Sequence, residues 1–93
     1  MSNNAVYPSL KNKVVVVTGG ASGIGESITH AMVKQGAKVG FLDFDEGASK
    51  RLIKVLDAEC VVSEICDLRD IDQLQNSIQN ISSKLGPIDV LVN

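Results

Sequence analysis

With 93 residues, 44% of them apolar and 22% charged, the chain is an ordinary globular polypeptide of at most one domain, and intrinsic disorder is excluded. Nine basic residues against eleven acidic ones give a net charge of −2, and with one Tyr, two Phe and no basic run there is no electrostatic or stacking footprint for nucleic acid. The opening "MSNNAVYPSLKN" is polar, lacks an apolar signal core, and no later run reaches membrane-spanning length, so a cytoplasmic protein with no membrane partner is expected.

The first element is "KVVVVTG", a continuous β-branched run closed by glycine, which reads as a strand buried on both faces. From Gly23 the periodicity becomes helical, with Ile24, Ile28, Ala31 and Met32 as the apolar positions and Gly36 as the terminating residue. "KVGFLD" is a second strand. Asp45 is placed to cap a second helix whose apolar face is Ala48, Leu52, Val55 and Leu56. "CVVSEICD" is a third strand, and its two cysteines, six residues apart, would sit about 20 Å apart at ~3.3 Å per residue. That excludes a disulfide between Cys60 and Cys66, and both read as small buried hydrophobes. Asp70 caps a third helix with Ile71, Leu74, Ile78, Ile81 and Leu85 on one face, ended by Gly86 and Pro87. "IDVLV", Ile88 to Val92, is the fourth strand.

Strands alternating with helices require parallel pairing through right-handed crossovers. The expected fold is α/β, half of a Rossmann-type doubly wound sheet with strand order 3-2-1-4 and three helices. Its ligand crevice lies beyond the carboxyl ends of the strands, where the loop "TGGASGIG" falls. A phosphate there would meet unpaired N–H groups at a helix N-terminus and the positive end of the helix dipole. Gly19 suits the turn out of the strand, Gly23 close approach of backbone to ligand, and Gly25 packing of the helix. The hydroxyls of Thr18 and Ser22 can tie the loop together or reach a phosphate oxygen. No lysine follows the glycines as a triphosphatase loop requires.

Asp43 ends the second strand, 18 residues after Gly25, where a dinucleotide fold places an acid against the adenosine ribose hydroxyls. The same charge repels a 2′-phosphate by about 4 kcal/mol for a separation of about 4 Å and an effective dielectric of about 20. The loop holds no Arg or Lys to offset it, so NAD is expected in preference to NADP.

The GxxxGxG loop, the acid ending the second strand, "CDL" after the third and "IDVLVN" as the fourth together resemble the short-chain dehydrogenases/reductases, from about Lys11 to Asn93. The resemblance implies that Gly19, Ser22, Gly23, Ile24 and Gly25 line the pyrophosphate. It places Asp43 and the backbone of Phe44 at the adenosine ribose, and Asp67 and Leu68 against the adenine edge. Asn93 matches the first residue of the family's Asn-Asn-Ala-Gly motif. Glu26 stands where many members carry a basic or apolar residue, and an acid in a first helical turn suits the dipole.

The family's catalytic Ser and Tyr-x-x-x-Lys have no counterpart in these residues, and Tyr7 lies outside any catalytic context. The resemblance therefore implies a tail over 1–10 and the N-terminal part of a dinucleotide-binding domain over 11–93. The implied function is that of the cofactor-binding half of an NAD-dependent oxidoreductase interconverting an alcohol and a carbonyl, homo-oligomeric when complete. The alternative is a non-catalytic nucleotide-binding or interaction module with a half-Rossmann fold. No metal cluster is expected, and His30 reads as a solvated surface residue.

Overall fold

A computed structural model describes residues 10–56 and 59–93. Tyr7 and all of the expected tail but Leu10 lie outside the described residues. The elements run β1 (Val14–Thr18), α1 (Gly23–Lys34), β2 (Lys38–Asp43), α2 (Glu46–Leu56), β3 (Val61–Ile65), α3 (Ile71–Leu85) and β4 (Val90–Val92). They form one four-stranded sheet in the order β3-β2-β1-β4, every pair parallel.

The valine run makes β1 the centre of the sheet because each face has its own core. Val15 and Val17 join Val39, Phe41, Ala48 and Leu52, with Ile28, Met32 and Val33 of α1 packed on the same side. Val16 joins Leu42, Cys66 and Ile81 under α3 on the other. Residues of β1 thus alternate between two apolar layers, and each buried valine contributes roughly 1.5 kcal/mol or more. Gly40 of β2 lies beneath α3, where a Cβ would collide with the Ile81 side chain.

Helix boundaries follow local chemistry. Asp70 is the N-cap of α3, its carboxylate accepting the Gln73 N–H at 3.1 Å, and Asp45 accepts the Ala48 N–H at 2.9 Å before α2. Gly36 at φ 85° and Gly86 at φ 109° end α1 and α3 in the left-handed region, as their placement in the sequence predicts.

Several expected core positions are instead exposed: Ile24 (81%), Val55 (70%) and Ile71 (67%), along with Ala31. In α1 the buried stripe is turned by one residue, and Thr29 is fully buried. Ile24 and Ile71 fall in first helical turns at the carboxyl edge, beyond the strands that would cover them. In α2 the buried stripe runs through Ser49 and Leu52, away from Val55. The third and fourth strands are shorter than expected. Cys60 precedes β3 in an exposed turn, its carbonyl accepting the Val39 N–H at 2.9 Å, and Cys66 follows the strand and is buried; both thiols are free. The expectation of two buried cysteines within one strand therefore holds only for the burial of Cys66.

Candidate functional site

Because all four strands are parallel, their carboxyl ends share one edge. The carboxyl ends of β3, β2, β1 and β4 and the residues that follow them present in turn Asp67 and Leu68, Asp43 and Phe44, the glycine loop, and Asn93. At the β1–β4 boundary, where the chain reverses its direction of winding, the Thr18 hydroxyl lies 3.2 Å from Asn93 Oδ1 and 3.3 Å from the Val92 carbonyl. Thr18 thus ties the fourth strand to the loop.

The loop between β1 and α1 is tightly held. The Leu42 carbonyl of β2 accepts the N–H groups of both Gly19 (2.6 Å) and Gly20 (3.2 Å). Gly19 takes φ 67° as the chain leaves the strand. A Cβ on Gly25 would collide with the Gly19 carbonyl, so α1 can begin this close to the loop only with glycine there. Gly20 is equally constrained: a Cβ would lie 2.5 Å from Phe41 Cβ and 2.8 Å from Thr29 Oγ1.

Gly23 differs from Gly20 and Gly25 and, like Gly19, has open space where a Cβ would stand. It opens α1 at φ 57°, and an added Cβ would meet nothing within 4 Å. Ser22 precedes it in extended backbone and makes no side-chain cap, so the first-turn N–H groups of α1 are left open to an external acceptor. The open face of Gly23, the uncapped helix start and the exposed Ile24 form a bare cradle at the positive end of the α1 dipole. The residues present fit an anionic phosphate group.

Asp43 is 7% exposed and its carboxylate is already engaged: Oδ2 accepts the Ala21 N–H at 3.0 Å and Oδ1 the Asp45 N–H at 2.9 Å. Phe44, the next residue, is exposed. Beside the loop a hollow of about 370 Å³ is lined by Ser22, Glu26, Asp45 and Arg51, among others. Arg51 of α2 is therefore a cation at the loop that its distance in sequence concealed, set against two acids.

After β3, Arg69 grips Asp67 with two side-chain hydrogen bonds, Nε to Oδ1 at 3.1 Å and the guanidinium NH2 to Oδ2 at 3.2 Å, and adds its backbone N–H at 3.0 Å. The side-chain bond first, and the backbone bond second, hold the Asp67 carboxyl below the usual carboxylate range. Leu68 beside it is 37% exposed. His30 is exposed on α1, its Nε2 3.8 Å from Glu26 Oε2. Among the described residues no group of three or more His, Cys, Asp or Glu is disposed to hold a metal, and no helix is long and apolar enough to cross a membrane.

The glycine loop and Asp43 lie together at this edge as their places in the sequence suggest, whereas nothing in the expected site included Gly20, Thr29, Arg51 or Arg69, which the fold brings to the same edge. Only Gly20, adjacent to the expected turn glycine, carried a signal that could have identified it.

A family model described as short chain dehydrogenase matches residues 13–93. The chain belongs to the short-chain dehydrogenase family. Among relatives of this short-chain dehydrogenase chain, the D-xylose 1-dehydrogenase of Caulobacter vibrioides is 41% identical over 97 aligned positions, covering 98% of the chain and 36% of the relative. The 2,3-dihydro-2,3-dihydroxybenzoate dehydrogenase of Bacillus subtilis is 31% identical over 86 positions, covering 90% of the chain and 33% of that protein. Similar solved structures include the NADH complex of 3-ketoacyl-(acyl-carrier-protein) reductase from Brucella melitensis, with TM-score 0.83 and 28% identity over 88% of the chain and 34% of the neighbour. A short chain dehydrogenase from Bacillus anthracis gives TM-score 0.81 and 30% identity, again over 88% of the chain and 34% of that structure. The chain spans about a third of the length of the relatives it matches.

Proposed function

We propose that the chain is the cofactor-binding part of an NAD-dependent oxidoreductase that interconverts an alcohol and a carbonyl. The observation that carries this reading is the uncapped start of α1, with Gly23 left-handed and open above it. Gly19, Ser22, Gly23, Ile24 and Gly25 would hold the pyrophosphate, and Asp43 and Phe44 the adenosine ribose. Asp67 and Leu68 would face the adenine, and Thr18 and Asn93 the reactive end of the cofactor. The nicotinamide, when bound, supplies or accepts the hydride; these residues bind and orient it. The NADH bound to the Brucella melitensis reductase supports the choice of cofactor class.

The preference for NAD over NADP rests on charge. Asp43 stands at the end of β2, and Glu26 and Asp45 outnumber Arg51 around the neighbouring hollow. A 2′-phosphate placed there meets net negative surroundings in a partly desolvated site. Its counterpart hydroxyl instead finds an acceptor.

The test is hydride transfer by the full-length protein, followed through the reduced nicotinamide, with NAD and NADP each offered D-xylose, other aldoses and simple secondary alcohols. The relatives' names make D-xylose the first substrate to try. NAD-dependent turnover of a member of this panel is expected. Binding of neither dinucleotide by the folded protein would overturn the reading.

A further inference from the structure

Asp43 does two things at once, and the second is independent of the ribose. Its carboxylate joins two backbone N–H groups from different connections, that of Ala21 in the glycine loop and that of Asp45 at the start of α2. Ala21 is 4% exposed, so its N–H is shielded from water and needs a protein acceptor. The Leu42 carbonyl fixes the Gly19–Gly20 half of the loop. The Ala21–Ser22 half, which leads directly into the first turn of α1, is fixed by Asp43.

Resting on the dinucleotide reading above, we infer that Asp43 is a positioning residue for the phosphate cradle: by clamping the Ala21 N–H it sets where the first-turn N–H groups of α1 point. Two of the roughly four lone-pair sites on its carboxylate serve the clamp, which leaves acceptor capacity for ribose hydroxyls. The consequence separates this account from one in which the acid only selects the ribose. If Asp43 acted by charge alone, neutralising it would relieve a 2′-phosphate and improve NADPH binding. If it also clamps the loop, neutralising it weakens NADH and cancels the gain for NADPH, because an amide offers one acceptor oxygen where the carboxylate offers two.

The experiment compares Asp43→Asn and Asp43→Glu with the parent in the full-length protein. Ligand-free amide hydrogen exchange is measured at Ala21, with the β1 amides as the internal reference. Titrations with NADH, NADPH and inorganic pyrophosphate, the last competing with NADH, give the affinities. The clamp predicts that Asp43→Asn accelerates Ala21 exchange about tenfold or more relative to β1, and weakens NADH and pyrophosphate by a similar factor without any gain for NADPH. Asp43→Glu keeps the charge but misplaces the oxygens, so it too should free the Ala21 amide and weaken NADH. Unchanged Ala21 exchange in both variants, or tighter NADPH with pyrophosphate unaffected, would overturn the clamp. The exchange measurement needs no ligand, so it separates failure of the clamp from failure of the dinucleotide reading, which would show as no NADH binding by the parent.

Discussion

The Thr29 hydroxyl, buried in α1, lies 3.0 Å from the carbonyl of Gly20 in the glycine loop and 2.9 Å from that of Gly25 one turn earlier in its own helix. It has one proton for two acceptors, and the Gly20 bond is the one that joins helix to loop. Thr29→Val keeps the shape and removes the donor, leaving a buried carbonyl short of a partner. It should cost about 1–3 kcal/mol of stability by chemical denaturation, and Thr29→Ser should recover part of that. A Thr29→Val protein as stable as the parent would show that the hydroxyl contributes nothing to holding the loop.

Gly23 provides the complementary case. Its left-handed φ and open surroundings mean that a side chain costs local backbone strain without a steric collision. Gly23→Val in the full-length protein should therefore remain folded by circular dichroism while losing NADH affinity by fluorescence titration. Unchanged affinity in a folded variant would reduce the loop to a turn.

Gly40→Ala should do the reverse. The Ile81 side chain occupies the space a methyl would need, and overpacking of this kind costs about 1–3 kcal/mol. Thermal unfolding should register the loss, with NADH affinity of the folded protein preserved, because Gly40 lies under α3 and away from the loop.

The strand order was legible because a continuous valine run and three amphipathic periods admit few parallel arrangements. The precise faces were not. In α1 hydropathy selects Ile24, Ile28, Ala31 and Met32; Ile28 and Met32 pack on the core but Ile24 and Ala31 are exposed, and the buried stripe includes Thr29, with Gly25 set hard against the loop, since close approach demands a small residue and a hydrogen-bonding one. Hydropathy does not register either requirement. The loop and its acid were legible from glycine spacing and the strand end. The clamp between Asp43 and Ala21 was not, because it depends on the loop folding back across the end of β2.

The Asp67–Arg69 pair gives a prediction in pH. Asp67 has a folded-state pKa below its ordinary value, so any stability it contributes is fully present above the unfolded pKa and is lost as pH falls through the lowered one. Arg69→Ala should raise the Asp67 pKa, followed by NMR, toward its ordinary value, with the backbone N–H of residue 69 keeping part of the lowering. Stability near neutral pH should hardly change, since the pair is solvent-exposed. An Asp67 titration that does not move would contradict the pairing.

A polypeptide made of these 93 residues alone should associate in solution. Val90 and Leu91 are 37% and 51% exposed on β4, which pairs with β1 and lies at the sheet's edge. An apolar edge strand is a template for pairing with another chain. Light scattering should show species larger than the monomer, and a stable monomer would contradict the expectation.

The most direct test of the central claim is a pair of fluorescence titrations of the full-length protein with NADH and NADPH under identical salt. The account predicts saturable binding of NADH and at least about tenfold weaker binding of NADPH, the direction set by the acids around Asp43 and the strength by the open start of α1. Equal or tighter binding of NADPH would contradict it.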